Sequence, residues 1–201
     1  MFILYGRVEI MKISNKRTDI LQAALQLIAE RGFHAAPMAE IAEKAGVAAG
    51  TIYRYFENKD VLINELHGAL EEKINGTLME GYPLERSIRE RFLYLIRELL
   101  RYFIQNPLHF RYMEQYFNSP YGISMQRERL WGKPSKHGIV MEIFKRGVSQ
   151  QLLKDLPEIV LFSLAFGPLV YLTRDHILGF VALDEKLIER TAEACWDAIK
   201  R

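Results

Sequence analysis

Residues 41–59 read IAEKAGVAAGTIYRYFENK, and this stretch decides how the rest of the chain is read. Met38, Ile41, Ala42 and Ala45 recur at helical spacing, which predicts a short helix with one apolar face. Gly46 ends it, because a residue without a side chain takes the positive backbone angle of a tight turn. A second short helix is expected from about Ala48 to Phe56. Val47 and Ile52 pack it against the first helix, leaving Thr51, Tyr53, Arg54 and Tyr55 outward. Two helices joined by three or four residues with a glycine form a helix-turn-helix, whose second helix fits a DNA major groove.

The run GVAAGTIYRYFENKDVL from Gly46 to Leu62, with RTDILQAALQLIAERGFHAAPMAEIA from Arg17 to Ala42 before it, resembles the amino-terminal signature of the TetR (tetracycline-repressor) family of bacterial regulators. The resemblance covers about a quarter of the chain. It implies an all-α fold: an N-terminal three-helix helix-turn-helix DNA-binding domain, then a C-terminal helical ligand-binding and dimerisation domain. The boundaries read from the sequence are a flexible extension over 1–13, the DNA-binding domain over 14–60, and the effector-binding and dimerisation domain over 61–201. Met11 and Lys12 sit where family members usually begin, so residues 1–10 are either an upstream start or a disordered arm.

The chain departs from the family at its helix starts. Family members commonly carry Ser or Thr before the second helix and Ser, then often Lys, before the third, where this chain has Ala36, Pro37, Ala48 and Ala49. Losing such a hydroxyl costs about 1 kcal/mol and removes a donor to phosphate. Pro37 offsets part of this, because its fixed backbone angle suits a first helical position.

Composition sets further limits. The chain has 201 residues, 49% hydrophobic and 26% charged, with a net charge of +2. So small a net charge argues against a general nucleic-acid coat and requires local basic groups for any DNA affinity. Cys195 is the single cysteine and no Cys/His spacing suggests a metal; no internal disulfide, metal or cofactor is expected, and a reducing cytoplasm is the simplest setting. Residues 1–11 lack the basic leader, sustained apolar core and cleavage site of a signal peptide. The longest apolar run, around Ile159 to Leu172, is interrupted by Ser163, Gly167 and Pro168 and falls short of the roughly 20 residues a membrane span requires.

Along the chain, Ile20, Leu21, Ala24, Leu27 and Ile28 form an amphipathic helix stopped by Gly32, and Phe33 is read as plugging the three-helix core. Lys16, Arg17 and Thr18 precede that helix as supporting DNA contacts, or as a solvated charge cluster. Asn58 caps a connecting helix whose apolar face runs through Val61, Leu62, Leu66, Ala69, Leu70 and Ile74, and Lys59 at its start reaches for phosphate. A helix over 84–106 follows, closed by Pro107, and then a short aromatic helix. Asn118 to Gly122 force a loop, Trp131, Gly132 and Pro134 suggest another break, and Ser135 caps a helix ending near Gly147.

Candidate sites follow. The DNA contacts are Lys16, Arg17, Thr18, Thr51, Tyr53, Arg54, Tyr55 and Lys59. An apolar effector pocket draws on Phe92, Ile96, Phe103, His109, Phe110, Met113, Phe117, Met141, Phe144 and Phe166, with Tyr112, His137 and Tyr171 as polar partners; each aromatic is by itself more often core than pocket. Residues 157–178 are apolar on almost every face, too much for one core, so that helix and the last one are expected to pair with a second copy through Phe162, Leu169, Leu172, Ile188, Cys195 and Ile199. His109, Glu114, His137, His176 and Cys195 have no catalytic spacing, so no enzyme is expected. The reading is a homodimeric repressor released from a palindromic operator by a small apolar effector. The alternative is a ligand-binding or membrane-associated interaction module whose helix-turn-helix has lost specific DNA binding.

Overall fold

The computed structural model describes residues 2–131 and 138–201, with side chains described for 16–125 and 138–201. Ten helices are present among the described residues, and no strand: α1 (Phe2–Arg31), α2 (Met38–Lys44), α3 (Ala49–Ile52), α4 (Lys59–Met79), α5 (Ile88–Gln105), α6 (Pro107–Phe117), α7 (Pro120–Trp131), α8 (Ile139–Ser149), α9 (Glu158–Ile177) and α10 (Glu185–Ile199). None of them is long and apolar enough to cross a membrane. The break read at Gly132 and Pro134, the cap at Ser135 and the polar partner His137 lie outside the described residues.

Two compact units result, Met1–Glu72 with Leu108–Ile123, and Lys73–Pro107 with Ser124–Arg201. The expected boundary after residue 60 is therefore not where packing divides the chain: the first turns of α4 and almost all of α6 go with the amino-terminal helices. Two hydrogen bonds show why. Tyr112 Oη donates to the Ile63 carbonyl at 3.0 Å, and Gln115 Nε2 donates to the Ala29 carbonyl at 3.2 Å.

In the first unit α1 is helical from Phe2, so the stretch expected as a flexible extension is part of a thirty-residue helix; no proline precedes Pro37 to break it. Ile20, Ala24, Leu27 and Ile28 are buried. Phe33 does not plug the three-helix core. Half-buried, it meets the rings of Tyr112 (5.9 Å), Tyr116 (6.5 Å) and Tyr121 (5.6 Å). On α4 the buried face is Leu62, Ile63, Leu66, His67, Leu70 and Ile74, while Ala69 is exposed.

Prolines start helices here as well as ending them. Pro107 both follows α5 and opens α6, and Pro120 opens α7, so the expected loop over 118–122 shrinks to Asn118 and Ser119. A first helical position tolerates proline because its missing N–H would have no intrahelical partner. Gly122 permits a close approach: a Cβ there would lie 2.3 Å from the Tyr116 carbonyl oxygen and 2.6 Å from Phe117 Cα.

In the second unit, α10 packs on α5 and α9, α5 on α8 and α9, and α8 on α9. Their shared core holds Phe92, Ile96 and Leu100 of α5, Ile143 and Phe144 of α8, Leu161, Ala165, Phe166 and Leu169 of α9, and Ile188, Cys195, Trp196 and Ile199 of α10. Ser87 and Glu90 form a capping box at the start of α5, satisfying donors that the first turn leaves without partners. Helix α8 runs past Gly147, which is buried in its last turn against Leu153, and ends at Ser149. Arg91 is buried in α5; its Nε donates to Tyr82 Oη (2.8 Å) and its Nη2 to Glu142 (3.2 Å). On the outside Arg89, Arg97 and Arg101 of α5 pair with Glu193, Glu189 and Glu185 of α10.

Candidate nucleic-acid interface

The tip of the first unit is built from two helices too short to persist alone. Helix α2 is followed by Ala45 and by Gly46 at φ +67; the Val47 N–H then returns to the Ala42 carbonyl at 2.9 Å. Neither α2 nor α3 has a side-chain cap: Pro37 stands at the N-cap of α2, one position before the helix rather than in it, and Ala48 stands at the N-cap of α3. Burial substitutes for the caps. Ile41, Ala42, Ile52 and Phe56 are fully inaccessible, so apolar contacts hold what local hydrogen bonds do not.

The second helix is also shorter than its expected span. Its α-helical part stops at Ile52; the Arg54 and Tyr55 N–H groups reach only three residues back, to Thr51 (3.1 Å) and Ile52 (3.1 Å). That tighter turn rolls Tyr53, 55% exposed, and Arg54 outward, while Thr51 and Tyr55 stay half-buried. Gly50, in the small run Ala48–Ala49–Gly50, belongs to the same tip. A Cβ placed there meets no heavy atom within 4 Å, so the backbone of this tip stands open; that run of small residues is its signal in the sequence.

The basic candidates divide by what already holds them. Lys16 is exposed. Arg17 pairs with Glu65 and lies over the Phe56 ring, 5.3 Å from its centroid, which bolts α1 to α4 across the tip's core residue. Thr18 is exposed on the next position. Lys59, half-buried, donates from Nζ to the Phe33 carbonyl; burial draws its ammonium below the ordinary value, against the opposing pull of Asp60. Asn58 caps α4 as expected, accepting from the Val61 N–H at 2.9 Å. All eight DNA candidates thus fall in one unit, and Tyr53 and Arg54 are the most open of those around α3.

The expected effector set does not come together in one unit. Phe92, Ile96, Phe103, Met141, Phe144 and Phe166 belong to the second unit, and His109, Phe110, Met113 and Phe117 to the first. Within the second, Phe166 meets Phe92 (6.4 Å) and Phe144 (6.5 Å), and Phe92 meets Trp196 (5.5 Å). Of the polar partners, Tyr112 is taken up by its bond to Ile63, and Tyr171 is 65% exposed.

The expected pairing surface is corrected more sharply. Leu169, Ile188, Cys195 and Ile199 are buried within this chain and so are not available to a second copy, while Leu172 is partly buried. The reason is that α10 already spends its apolar stripe on α5 and α9. Phe162 remains, 40% exposed, with Ile159, Val160, Leu164, Val170 and Tyr171 on the same helix. Cys195 is a core residue whose thiol is pushed up to about 11 by burial.

The family model described as bacterial regulatory proteins, tetR family, matches residues 20–66, and the one described as tetracyclin repressor-like, C-terminal domain, matches residues 87–200. An uncharacterized helix-turn-helix-type transcriptional regulator of Haemophilus influenzae is 25% identical over 184 residues, 91% of this chain and 95% of the relative. The fatty acid metabolism regulator protein of Bacillus subtilis is 52% identical over 76 residues, 38% of this chain and 36% of that protein. A solved structure of a TetR-family transcriptional regulator from Vibrio parahaemolyticus is 33% identical, with a TM-score of 0.74 over 92% of this chain and 99% of that one.

Proposed function

This chain belongs to the TetR family of bacterial regulatory proteins, and on that premise we propose that it is a homodimeric repressor, released from a palindromic operator in the cytoplasm by a small apolar effector. That it is a transcriptional regulator with a helix-turn-helix DNA-binding domain follows from the family. The observation that carries the finer reading is the tip itself: Tyr53, Arg54 and the bare backbone at Gly50 project from a base of buried Ile52 and Phe56. Arg54 has the fork that pairs with guanine, and Tyr53 the hydroxyl that meets phosphate.

Two such tips read successive major grooves when they stand about 34–36 Å apart. The apolar face of α9 left by the monomer, Ile159, Phe162, Val170 and Tyr171, supplies the contact that sets this distance. An effector entering among Phe92, Phe144 and Phe166 parts rings that otherwise touch, and it shifts DNA affinity to the extent that it binds the two spacings differently.

The test is binding to the DNA upstream of the protein's own gene as salt is raised. Affinity should be sequence-selective and fall steeply with salt. Tyr53→Ala and Arg54→Ala should each weaken it by about tenfold or more with the melting temperature unchanged, a loss of one good base or phosphate contact. Lys59→Ala should lower both, since its ammonium also ties α4 to Phe33. Equal affinity for random DNA, unaffected by these changes, would overturn the assignment. For the pairing surface, Phe162→Glu should sediment as a monomer; an intact dimer would remove α9 from the interface.

A further inference from the structure

His67 of α4 is 5% exposed, and neither of its ring nitrogens has a hydrogen-bond partner among the described residues. Tyr116 of α6 lies flat on it, centroids 3.7 Å apart and planes 4° from parallel, and Phe117 meets it edge-on at 6.2 Å. Glu71, one turn along α4, places Oε1 3.6 Å from Nε2, too long for a hydrogen bond and within ion-pair reach. A polar ring sealed away with nothing to donate to or accept from is costly. The same ring protonated has two donors, a carboxylate beside it and the electron-rich face of a tyrosine beneath it.

We propose that His67 is a proton-sensitive latch between α4 and α6 inside the DNA-binding unit. Taking a proton from solvent draws the ring toward Glu71 and onto Tyr116 and tightens the docking of α6; losing it as pH rises leaves the ring neutral and the contact looser. The docking matters because α6 also holds α4 through Tyr112 on Ile63 and α1 through Gln115 on Ala29. Among the described residues the ionisable groups that face His67 are Glu71 from α4 and Tyr116 from α6. Behind Tyr116 stand Tyr112 of α6 and Tyr121 of α7, the latter bonded to Asp60. Burial pushes both of these phenols up, so neither supplies a charge near neutrality. Among the described residues no lysine or arginine is paired to the ring; burial disfavours its charge, Glu71 and the Tyr116 face favour it, and the latch requires that these two outweigh burial.

The experiment compares the full chain with His67→Phe, which keeps an aromatic stack and cannot take up a proton, from about pH 8 down to about pH 5, the range in which imidazoles titrate. The wild-type melting temperature should gain about 2–4 °C over that of His67→Phe across this range, the shift expected of a single modest interaction in a chain of this size. In parallel, the His67 imidazole signals of the wild-type protein, followed by NMR, should move with pH over this range, and Glu71→Gln should lose the wild-type gain in melting temperature. This second readout stands even where the phenylalanine variant folds poorly. Parallel melting profiles for the two proteins, or ring signals that do not move with pH, would overturn the latch.

Discussion

The tip of the first unit and the core of the second are held by opposite means. In the tip, α2 and α3 have seven and four residues and no side-chain caps; they stay in place because Ile41, Ile52 and Phe56 are buried beneath them and Arg17 and Lys59 tie the flanking helices down. In the second unit, α5 and α10 have eighteen and fifteen residues with side-chain caps at Ser87 and Asp184, and a ladder of arginine–glutamate pairs joins their outer faces. A helix that depends on its neighbours for stability can leave its outer face free for a partner. A helix that carries its own caps and period can spend its apolar stripe on a core, as α10 does, while α9 leaves Ile159, Phe162, Val170 and Tyr171 exposed.

That contrast can be broken first at Phe56. If the tip stands on burial alone, Phe56→Ala should cost about 3–5 kcal/mol in the first unit and abolish operator binding; near-normal binding and melting would mean that local structure, not packing, holds α3. A smaller effect separates the two buried glycines of close approach. Gly122→Ala sets a Cβ against rigid backbone at Tyr116 and Phe117, whereas Gly147→Ala meets only the Leu153 side chain, at 2.5 Å from its Cδ1. The first should cost about 1–3 kcal/mol. The second should cost less, because Leu153 can turn aside and alanine gains about 1 kcal/mol of helix propensity over glycine; equal losses in thermal unfolding would contradict this.

Smallest of all should be the ladder. Arg101→Ala should change stability by less than about 1 kcal/mol, since exposed ion pairs gain little against water; a larger loss in denaturant titration would promote the ladder to a main support. Acid sharpens the same point at Glu142, whose carboxyl is held below its usual range by Arg146 first and also by Arg91. Being depressed in the folded state, it contributes stability above the ordinary carboxylate value of about 4.3 that is lost as pH falls through the folded value. Glu142→Gln should therefore show a shallower loss of stability between about pH 5 and 3, and an unchanged slope would count against the pair.

Much of this was legible in the residues. The G-V-A-A-G-T-I-Y-R-Y-F run gave the helix-turn-helix, Gly46 its turn and Asn58 the cap of α4. The Ser87–Glu90 capping box and the proline starts of α6 and α7 were there to be read and follow from known positional preferences. These features are local: each depends on residues within a turn or two of one another.

By itself, then, the sequence determined the all-helical class, the position of the helix-turn-helix and the family. Tertiary structure alone decided which apolar faces meet. It sent Ile188, Cys195 and Ile199 into the monomer's core rather than a second copy's, drew α6 onto the amino-terminal helices, divided the expected effector residues between two units, and buried Arg91 and His67. The physical reason is that helical periodicity states that a stripe must be covered and carries no information about what covers it. That choice is made by packing between residues far apart in the chain, such as Tyr112 with Ile63, which no local pattern encodes.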